Sequence, residues 1–379
     1  MTRPANNRSR RGISVPLFAG WPGAREILWR AWRRVHNLTV ARVADAAADR
    51  AFELVNGYRA SQLVGVAAHL KIPDLLANGP MAAQDLATAT GIHADRLRRV
   101  LRGLAALGVL IDKEDGRFGN SDVGELFREG TQGSYRALVM MLLPESYRDW
   151  EHLLESLRSG MTGHEIAFGR SLWDSLRRDP DFARRFNQSM VSGSERIADF
   201  VASSYDFSAA SLIVDVGGGN GALAAGVLRA HSHLRGLVCD LPAGLAGARE
   251  YLKSHHLLDR CTTAECDFFE SVPHGGDVYL LKNIIHDWED DPATRILATC
   301  RTAAGPGGRL VIVERVLPAH VTAAPEHLNA AMMDLQMMVQ LGSRERTQDE
   351  YRTLMERAGW QFVGAIPGGL YAMFEGVAG

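Results

Sequence analysis

The sequence predicts an α/β protein in two parts, a doubly wound sheet domain after about residue 206 and a mostly helical region before it. Three observations carry this. An apolar strand, Leu212-Ile-Val-Asp-Val216, runs into the glycine loop Gly217-Gly-Gly-Asn-Gly221 and then into the helical run Ala222–Ala230. From Phe207 onward strand-like and helix-like segments alternate, the grammar of a sheet covered on both faces. The chain closes on two strand-like runs, Trp360–Pro367 and Leu370–Glu375, separated by a glycine pair that reads as a tight turn. At 379 residues the chain is also long for a single core.

Residues 1–40 read as a basic N-terminal arm, because Arg3, Arg8, Arg10, Arg11, Arg25, Arg30, Arg33 and Arg34 face the single acid Glu26. The expected state is a flexible arm leading into a helix. A sharper alternative is an interfacial helix in contact with a membrane surface, since Ile27, Leu28, Trp29 and Trp32 sit among the arginines.

Residues 41–135 predict a winged helix-turn-helix. A helix through Gln62–Leu70 is followed by Ile72–Leu76, a helix over Ala82–Thr88, the turn Thr90-Gly-Ile-His93 and a helix over Ala94–Leu107. Val109, Leu110 and Ile111 begin the wing. In the last helix Leu97, Val100, Leu101 and Leu104 form an apolar stripe, with Arg96, Arg99 and Arg102 off it. Those arginines read as a solvated face rather than a DNA-reading one, since nearby acids balance them.

Residues 136–205 read as connecting helices, with Trp150, Leu153, Leu154 and Leu157, and later Phe182, Phe186 and Met190, at helical spacings. Residues 206–379 hold strands expected near 211–216, 235–240, 262–265, 277–282 and 309–315. Asp291 is expected to cap a helix that begins at Pro292.

The glycine loop identifies a nucleotide-cofactor site. Glycines let the backbone approach a ligand that no side chain would admit, and the following helix turns its free N–H groups toward it. The loop does not choose the cofactor, because Gly217, Gly219 and Ala222 also fit the GxGxxA spacing of dinucleotide-binding dehydrogenases. Asp240, ending Leu237-Val-Cys-Asp240, suits either cofactor, since any ribose offers hydroxyls to an acid placed there.

Composition excludes other classes. A formal net charge of −2 argues against a nucleic-acid binder. Cys239, Cys261, Cys266 and Cys300 show no zinc-site spacing, so no metal is expected and the cysteines read as reduced thiols of a cytoplasmic protein. No apolar run approaches the roughly twenty residues of a membrane-spanning helix.

Asp267-Phe-Phe269, Tyr279-Leu-Leu-Lys-Asn-Ile-Ile-His-Asp-Trp288, Val313-Glu314 and Gly342-Ser-Arg-Glu-Arg-Thr347, together with the glycine loop, resemble the small-molecule O-methyltransferases that use S-adenosylmethionine. The resemblance extends from about residue 50 to the C-terminus. It implies a seven-stranded Rossmann-like methyltransferase sheet, in which the antiparallel C-terminal hairpin slots the last strand between the fifth and sixth. It also implies a homodimer formed through the winged-helix domain, and methyl transfer to a hydroxyl of an aromatic or polycyclic small molecule in secondary metabolism.

The resemblance also implies roles. Gly217 and Gly219 face the methionyl portion, with Met190, Ser194 and Lys282 near its carboxylate, and Asp240 takes the ribose. Asp267 takes the adenine amino group and Phe268 packs near the ring; Trp288 lies against the cofactor or simply packs. Read from the residues alone, Asp267 could be a turn aspartate and Ser194 a helix cap. Lys282 is harder to explain otherwise, since an unpaired ammonium ending a buried strand is costly.

His286 carries the chemistry in this reading, as the base that takes a proton from a phenol of pKa about 10. Glu314 and Glu345 match the acids that orient it, and Asp287 holds the acceptor or its neighbouring hydroxyl. A lone histidine is ordinarily structural, and the surrounding pattern is what raises this one above that reading. Holding acceptor and donor in line is a competing source of rate. Met332, Met333, Met337 and Met338, on a helix ahead of Glu345, are expected in part to line the acceptor pocket. Two further readings stand beside this one: an NAD-dependent oxidoreductase, and an S-adenosylmethionine-binding relative with decarboxylation, hydroxylation or no catalysis.

Overall fold

The computed structural model describes residues 24–379 apart from 132 and 144, with side chains from residue 46. Residues 1–23 and the side chains of Ile27, Leu28, Trp29 and Trp32 lie outside the described set, and with them the arm hypotheses. Residues from Gln62 onward pack as one unit, distinct from those before it. A single helix covers Ala24–His69, so the boundary expected at residue 40 falls inside a helix. Phe52, Leu54 and Val55 are exposed on it.

Beyond this helix come short strands β1 (Met81–Ala82), β2 (Leu110–Asp112) and β3 (Arg117–Asn120), in the order β1-β3-β2 and antiparallel. Helices Ala83–Thr90 and Ala94–Ala106 lie between β1 and β2, the order the winged-helix expectation set out. Leu97, Leu101 and Leu104 are buried while Arg96, Arg99 and Arg102 are exposed, so the apolar stripe packs and the basic face is solvated. Among the described residues no helix is long and apolar enough to cross a membrane.

The large sheet comprises β4 (Leu212–Val216), β5 (Arg235–Asp240), β6 (Cys261–Glu265), β7 (Val278–Lys282), β8 (Arg309–Arg315), β9 (Trp360–Gly368) and β10 (Tyr371–Ala378). Their order is β6-β5-β4-β7-β8-β10-β9. The first five run parallel; β10 is antiparallel to both neighbours. The last strand in sequence is therefore inserted between the fifth parallel strand and the sixth, as the two-residue loop Gly369-Leu370 requires of consecutive paired strands.

Alternation along the strands sends side chains to two cores. Ile213, Leu280, Val311 and Met373 pack on one face with the helices Pro180–Ser204 and Ala222–Ala230. Val214, Val216, Tyr279, Ile312 and Phe374 pack on the other with the helices Asp290–Ala303 and Gln348–Arg357. Each such side chain stabilises the fold by about 1.5–3 kcal/mol when fully buried. The first two helices approach closely because position 226 is glycine: a Cβ there would lie 2.3 Å from that of Ala198.

One expected helix start is corrected. The helix after Trp288 begins at Asp290, with Glu289 at its N-cap and no side-chain cap. Pro292 still lies in the first turn, where a missing N–H leaves no bond unmade, so it does not mark the start. Asp291 pairs with Arg357 instead of capping.

Candidate active site

A parallel sheet that reverses winding direction opens a crevice at the carboxyl ends of its strands. Here β4 sits at the reversal, between β5 and β7. A cavity of about 710 Å³ opens there, lined by the glycine loop, the ends of β5 and β7, and one face of the helix Pro180–Ser204.

The loop has the form the chemistry needs. Gly217 and Gly219 take φ of 67° and 55°, in the left-handed region where a Cβ is strained. Asp240 closes the loop from β5: its Oδ2 accepts from the Gly219 N–H at 2.9 Å and its Oδ1 from the Leu241 N–H at 2.7 Å. Burial raises its pKa, with those two N–H groups opposing. The remaining lone pairs of a carboxylate can accept ribose hydroxyls.

Lys282, at the end of β7, is 9 % exposed and makes no hydrogen bond or ion pair among the described residues. Burial lowers its pKa to about 8, with Glu314 and Asp215 opposing. It remains a cation at neutral pH, directed into the cavity. Met190 and Ser194 line the same cavity from the helix Pro180–Ser204, and Ser194 lies mid-helix rather than at a cap. Asp267 is a turn residue and a cavity residue at once: its Oδ1 accepts from the Phe269 N–H at 2.9 Å. Phe268 and Trp288 stand edge to face, 6.3 Å between centroids.

The structure brings His286, Glu314 and Glu345 together. Glu314, the penultimate residue of β8, is fully buried, and its Oε1 accepts from the N–H groups of Ile284 and Ile285 at 2.9 Å each and of His286 at 3.4 Å. This fixes the short turn that carries His286. Glu345 follows the helix Pro325–Leu341, and its Oε1 lies 3.0 Å from His286 Nδ1. Glu314 Oε2 lies 3.6 Å from the same nitrogen, and Asp287 Oδ1 lies 3.4 Å from Nε2. Burial alone would depress the His286 pKa, but Glu314, Glu345 and Asp287 overcome it and raise it to about 10. Burial raises Asp287 to about 7, the His286 charge opposing. Asp287 lines the cavity, and His286 lies beside it with its side chain 6% exposed. One nitrogen or oxygen atom from each of His286, Glu314 and Glu345 lies within 4.8 Å of the others, a spacing that would admit a cation.

Three residues that sequence reasoning passed over complete the site. Trp173 stacks on Trp288, 6.1 Å between centroids and 10° from parallel, and nothing in its local pattern separates it from an ordinary helix residue. Asp215 carried a signal, an acid inside an apolar strand; its Oδ2 accepts from the Ala224 N–H at 3.2 Å, and burial raises its pKa to about 7. Arg346, 0 % exposed, donates to the carbonyls of Ile285 and Trp288 and to Asp290. The methionines ahead of Glu345 are not among the residues that line this cavity. Met332 is exposed and Met337 packs in the interior, and none of Met332, Met333, Met337 or Met338 lines the space described.

Sheet order, glycine loop and acid-tipped second strand define a nucleotide-cofactor methyltransferase rather than a dehydrogenase, whose sheet has no such inserted antiparallel strand. The chain belongs to the family of S-adenosylmethionine-dependent small-molecule O-methyltransferases. The O-methyltransferase domain of that family matches residues 150–361, and its O-methyltransferase dimerisation domain matches residues 52–130. A phenazine O-methyltransferase of Lysobacter antibioticus is 38% identical over 315 residues, covering 83% of this chain and 91% of that one. A mitomycin biosynthesis 6-O-methyltransferase of Streptomyces lavendulae is 36% identical, covering 87% and 93%. A crystal structure of an O-methyltransferase from neocarzinostatin biosynthesis, in complex with S-adenosylmethionine and 2-hydroxy-5-methyl naphthoic acid, superposes with a TM-score of 0.70 at 32% identity, covering 84% and 96%. The nicotinamide alternative finds no support among these likenesses.

Proposed function

We propose that this protein methylates a hydroxyl of a planar aromatic or polycyclic small molecule in secondary metabolism, within the cavity at the tips of β4, β5 and β7. The observation that carries the reading is the polarity of that cavity. Its glycine-loop side offers Lys282 to a carboxylate, Asp240 to ribose hydroxyls and Asp267 with Phe268 to an adenine ring. Its other side offers Asp287 to the acceptor, with His286 beside it as the base for the hydroxyl proton. S-adenosylmethionine, when bound, would supply a sulfonium methyl for transfer to an oxygen nucleophile, with the neutral thioether as leaving group.

The parallel pair Trp173 and Trp288, with Phe186 beside Trp173 at 6.3 Å, favours a flat acceptor. The phenazine and naphthoic acid of the relatives' names are of that kind. The dimerisation-domain match supports a homodimer, and the exposed Phe52, Leu54 and Val55 supply apolar area for it. Light scattering on the purified chain tests this.

Calorimetric titration with S-adenosylhomocysteine, with NAD in parallel, tests the cofactor assignment. Micromolar binding of the thioether alone is expected, and binding of NAD alone would overturn it. Acceptors then follow from a screen of hydroxylated phenazines, naphthoates and quinones with a methyl-labelled donor.

A further inference from the structure

We infer that the end of the cavity beside Gly193 is a two-cation carboxylate site, in which Arg196 stands with Lys282. This rests on the methyl-transfer reading above, since a carboxylate enters there from either reactant: the methionyl tail of the cofactor, or an aromatic acceptor that is a hydroxy acid. The first argument is placement. Gly193 lies within the helix Pro180–Ser204, and Arg196, one turn later, leans back over it because helical side chains point toward the N-terminus. A Cβ built on Gly193 would lie 3.7 Å from Arg196 Nη2 and 3.7 Å from Lys282 Nζ, so two cationic groups converge on one point that a glycine leaves open. Met190, Ser194 and Lys282, around that point, line the cavity. A carboxylate centred there has an oxygen for each cation.

The second argument is how Arg196 is held. Its Nη1 donates to the carbonyls of Gly133 and Ser134 at 3.2 Å each, and its guanidinium carbon stands 4.3 Å from the centroid of the Tyr135 ring. These contacts fix the orientation of the group without neutralising it. Among the described residues Arg196 makes no ion pair and its Nη2 no hydrogen bond, so one edge of the fork is left for an anion.

The third argument is charge. Burial lowers the Lys282 pKa to about 8, and Arg315 and Arg196 push it the same way against Glu314 and Asp215. Arg315 stands over the Tyr371 ring, 4.7 Å from its centroid, and it too makes no ion pair among the described residues. The two opposing acids are already engaged, Glu314 by the N–H groups of the His286 turn and Asp215 by that of Ala224. Positive charge therefore gathers at this end of the cavity, and an anionic ligand group relieves the repulsion between Lys282 and Arg196. A neutral arene gains nothing from Arg196, so an acceptor that uses it carries an acid group.

Calorimetry on full-length Arg196→Gln with paired ligands tests the site and separates the two sources. S-adenosylhomocysteine against methylthioadenosine, which lacks the amino-acid tail, reads the methionyl source. Hydroxynaphthoate against naphthol, with and without S-adenosylhomocysteine, reads the acceptor source. Arg196→Gln is expected to weaken at least one carboxylated ligand about 10-fold and its carboxylate-free counterpart by less than about twofold, with Arg196→Lys recovering part of the loss. The pair that responds names the source; equal losses within both pairs, or none, overturn the proposal. Gly193→Asp places a carboxylate between the cations from the chain itself. Against Gly193→Asn it is expected to unfold at a higher temperature and to bind the responding ligand about 10-fold more weakly; a Gly193→Asp variant no more stable than Gly193→Asn overturns the two-cation site. Failure of the parent protein to bind S-adenosylhomocysteine would remove the methyl-transfer reading, and the melting order of the two Gly193 variants would still decide for the cations.

Discussion

Arg346 donates from Nη2 to the main-chain carbonyl of Trp288 at 2.7 Å, and the same guanidinium reaches the carbonyl of Ile285 at 2.9 Å. One buried side chain thus grips both ends of the turn that carries His286 and Asp287. Glu314 grips the turn from the other side through its N–H groups. The turn is thus held from both sides through its backbone.

Arg346→Ala is accordingly expected to destabilise the protein by about 3 kcal/mol or more, since two buried carbonyls lose their donor. Arg346→Lys should recover little, because a single ammonium does not reproduce the fork that spans both carbonyls and Asp290. Urea denaturation midpoints of the two variants measure this, and a lysine variant near wild type would contradict it.

Lys282→Met is expected to act in opposite directions on binding and stability. Losing the charge-assisted contact should weaken S-adenosylhomocysteine binding about 10- to 100-fold. Removing an unpaired buried ammonium should stabilise the ligand-free protein by about 1 kcal/mol. Calorimetry and thermal denaturation on one preparation check both; a loss of stability alongside the loss of binding would show that Lys282 has an intramolecular role.

Within the glycine loop two alanine substitutions should separate packing from ligand approach. A Cβ at position 218 would meet the Asp215 carboxyl at 2.6 Å and Val238 at 2.9 Å. Gly218→Ala should cost about 1–3 kcal/mol of stability through overpacking. A Cβ at position 219 meets nothing within 4 Å but sits at φ 55°. Gly219→Ala should cost about 1 kcal/mol while weakening S-adenosylhomocysteine binding more than Gly218→Ala does per unit of stability lost. Equal effects of both on both measurements would mean the loop does not approach the ligand.

Asp215 gives a pH signature. Its folded pKa, raised to about 7 by burial, lies above the unfolded value of 3.8, so its contribution is fully present below about pH 4 and is lost as pH rises through about 7. Asp215→Asn, which still accepts from the Ala224 N–H, should therefore gain roughly 3–4 kcal/mol relative to wild type between pH 4 and pH 8. Denaturation midpoints at the two pH values decide it; parallel curves would place a compensating charge beside Asp215.

The sheet was legible because its strands are buried on both faces and read as near-continuous apolar runs, and because the closing hairpin announces itself by a glycine pair. His286, Glu314 and Glu345 were legible only through resemblance, each being an ordinary residue in its own neighbourhood. Trp173 and Arg346 were not legible. A tryptophan at helical spacing and an arginine in a polar loop carry no local mark of the partners they meet, 115 and 58 residues away. The start of the helix at Asp290 was misjudged because Pro292 is tolerated throughout the first turn.

The sequence by itself determined the α/β architecture, the glycine-loop site and the family, since strand burial, turn chemistry and the close approach of backbone to ligand are written in contiguous residues. Only the tertiary structure decided which acid faces the cavity and which stand behind His286. Glu345 lies 59 residues from His286 along the chain and Glu314 28, and their distances follow from sheet order and from the helix that precedes Glu345. Proton position in a buried cluster depends on those distances, because the interaction of charges shielded from water changes steeply over an ångström or two.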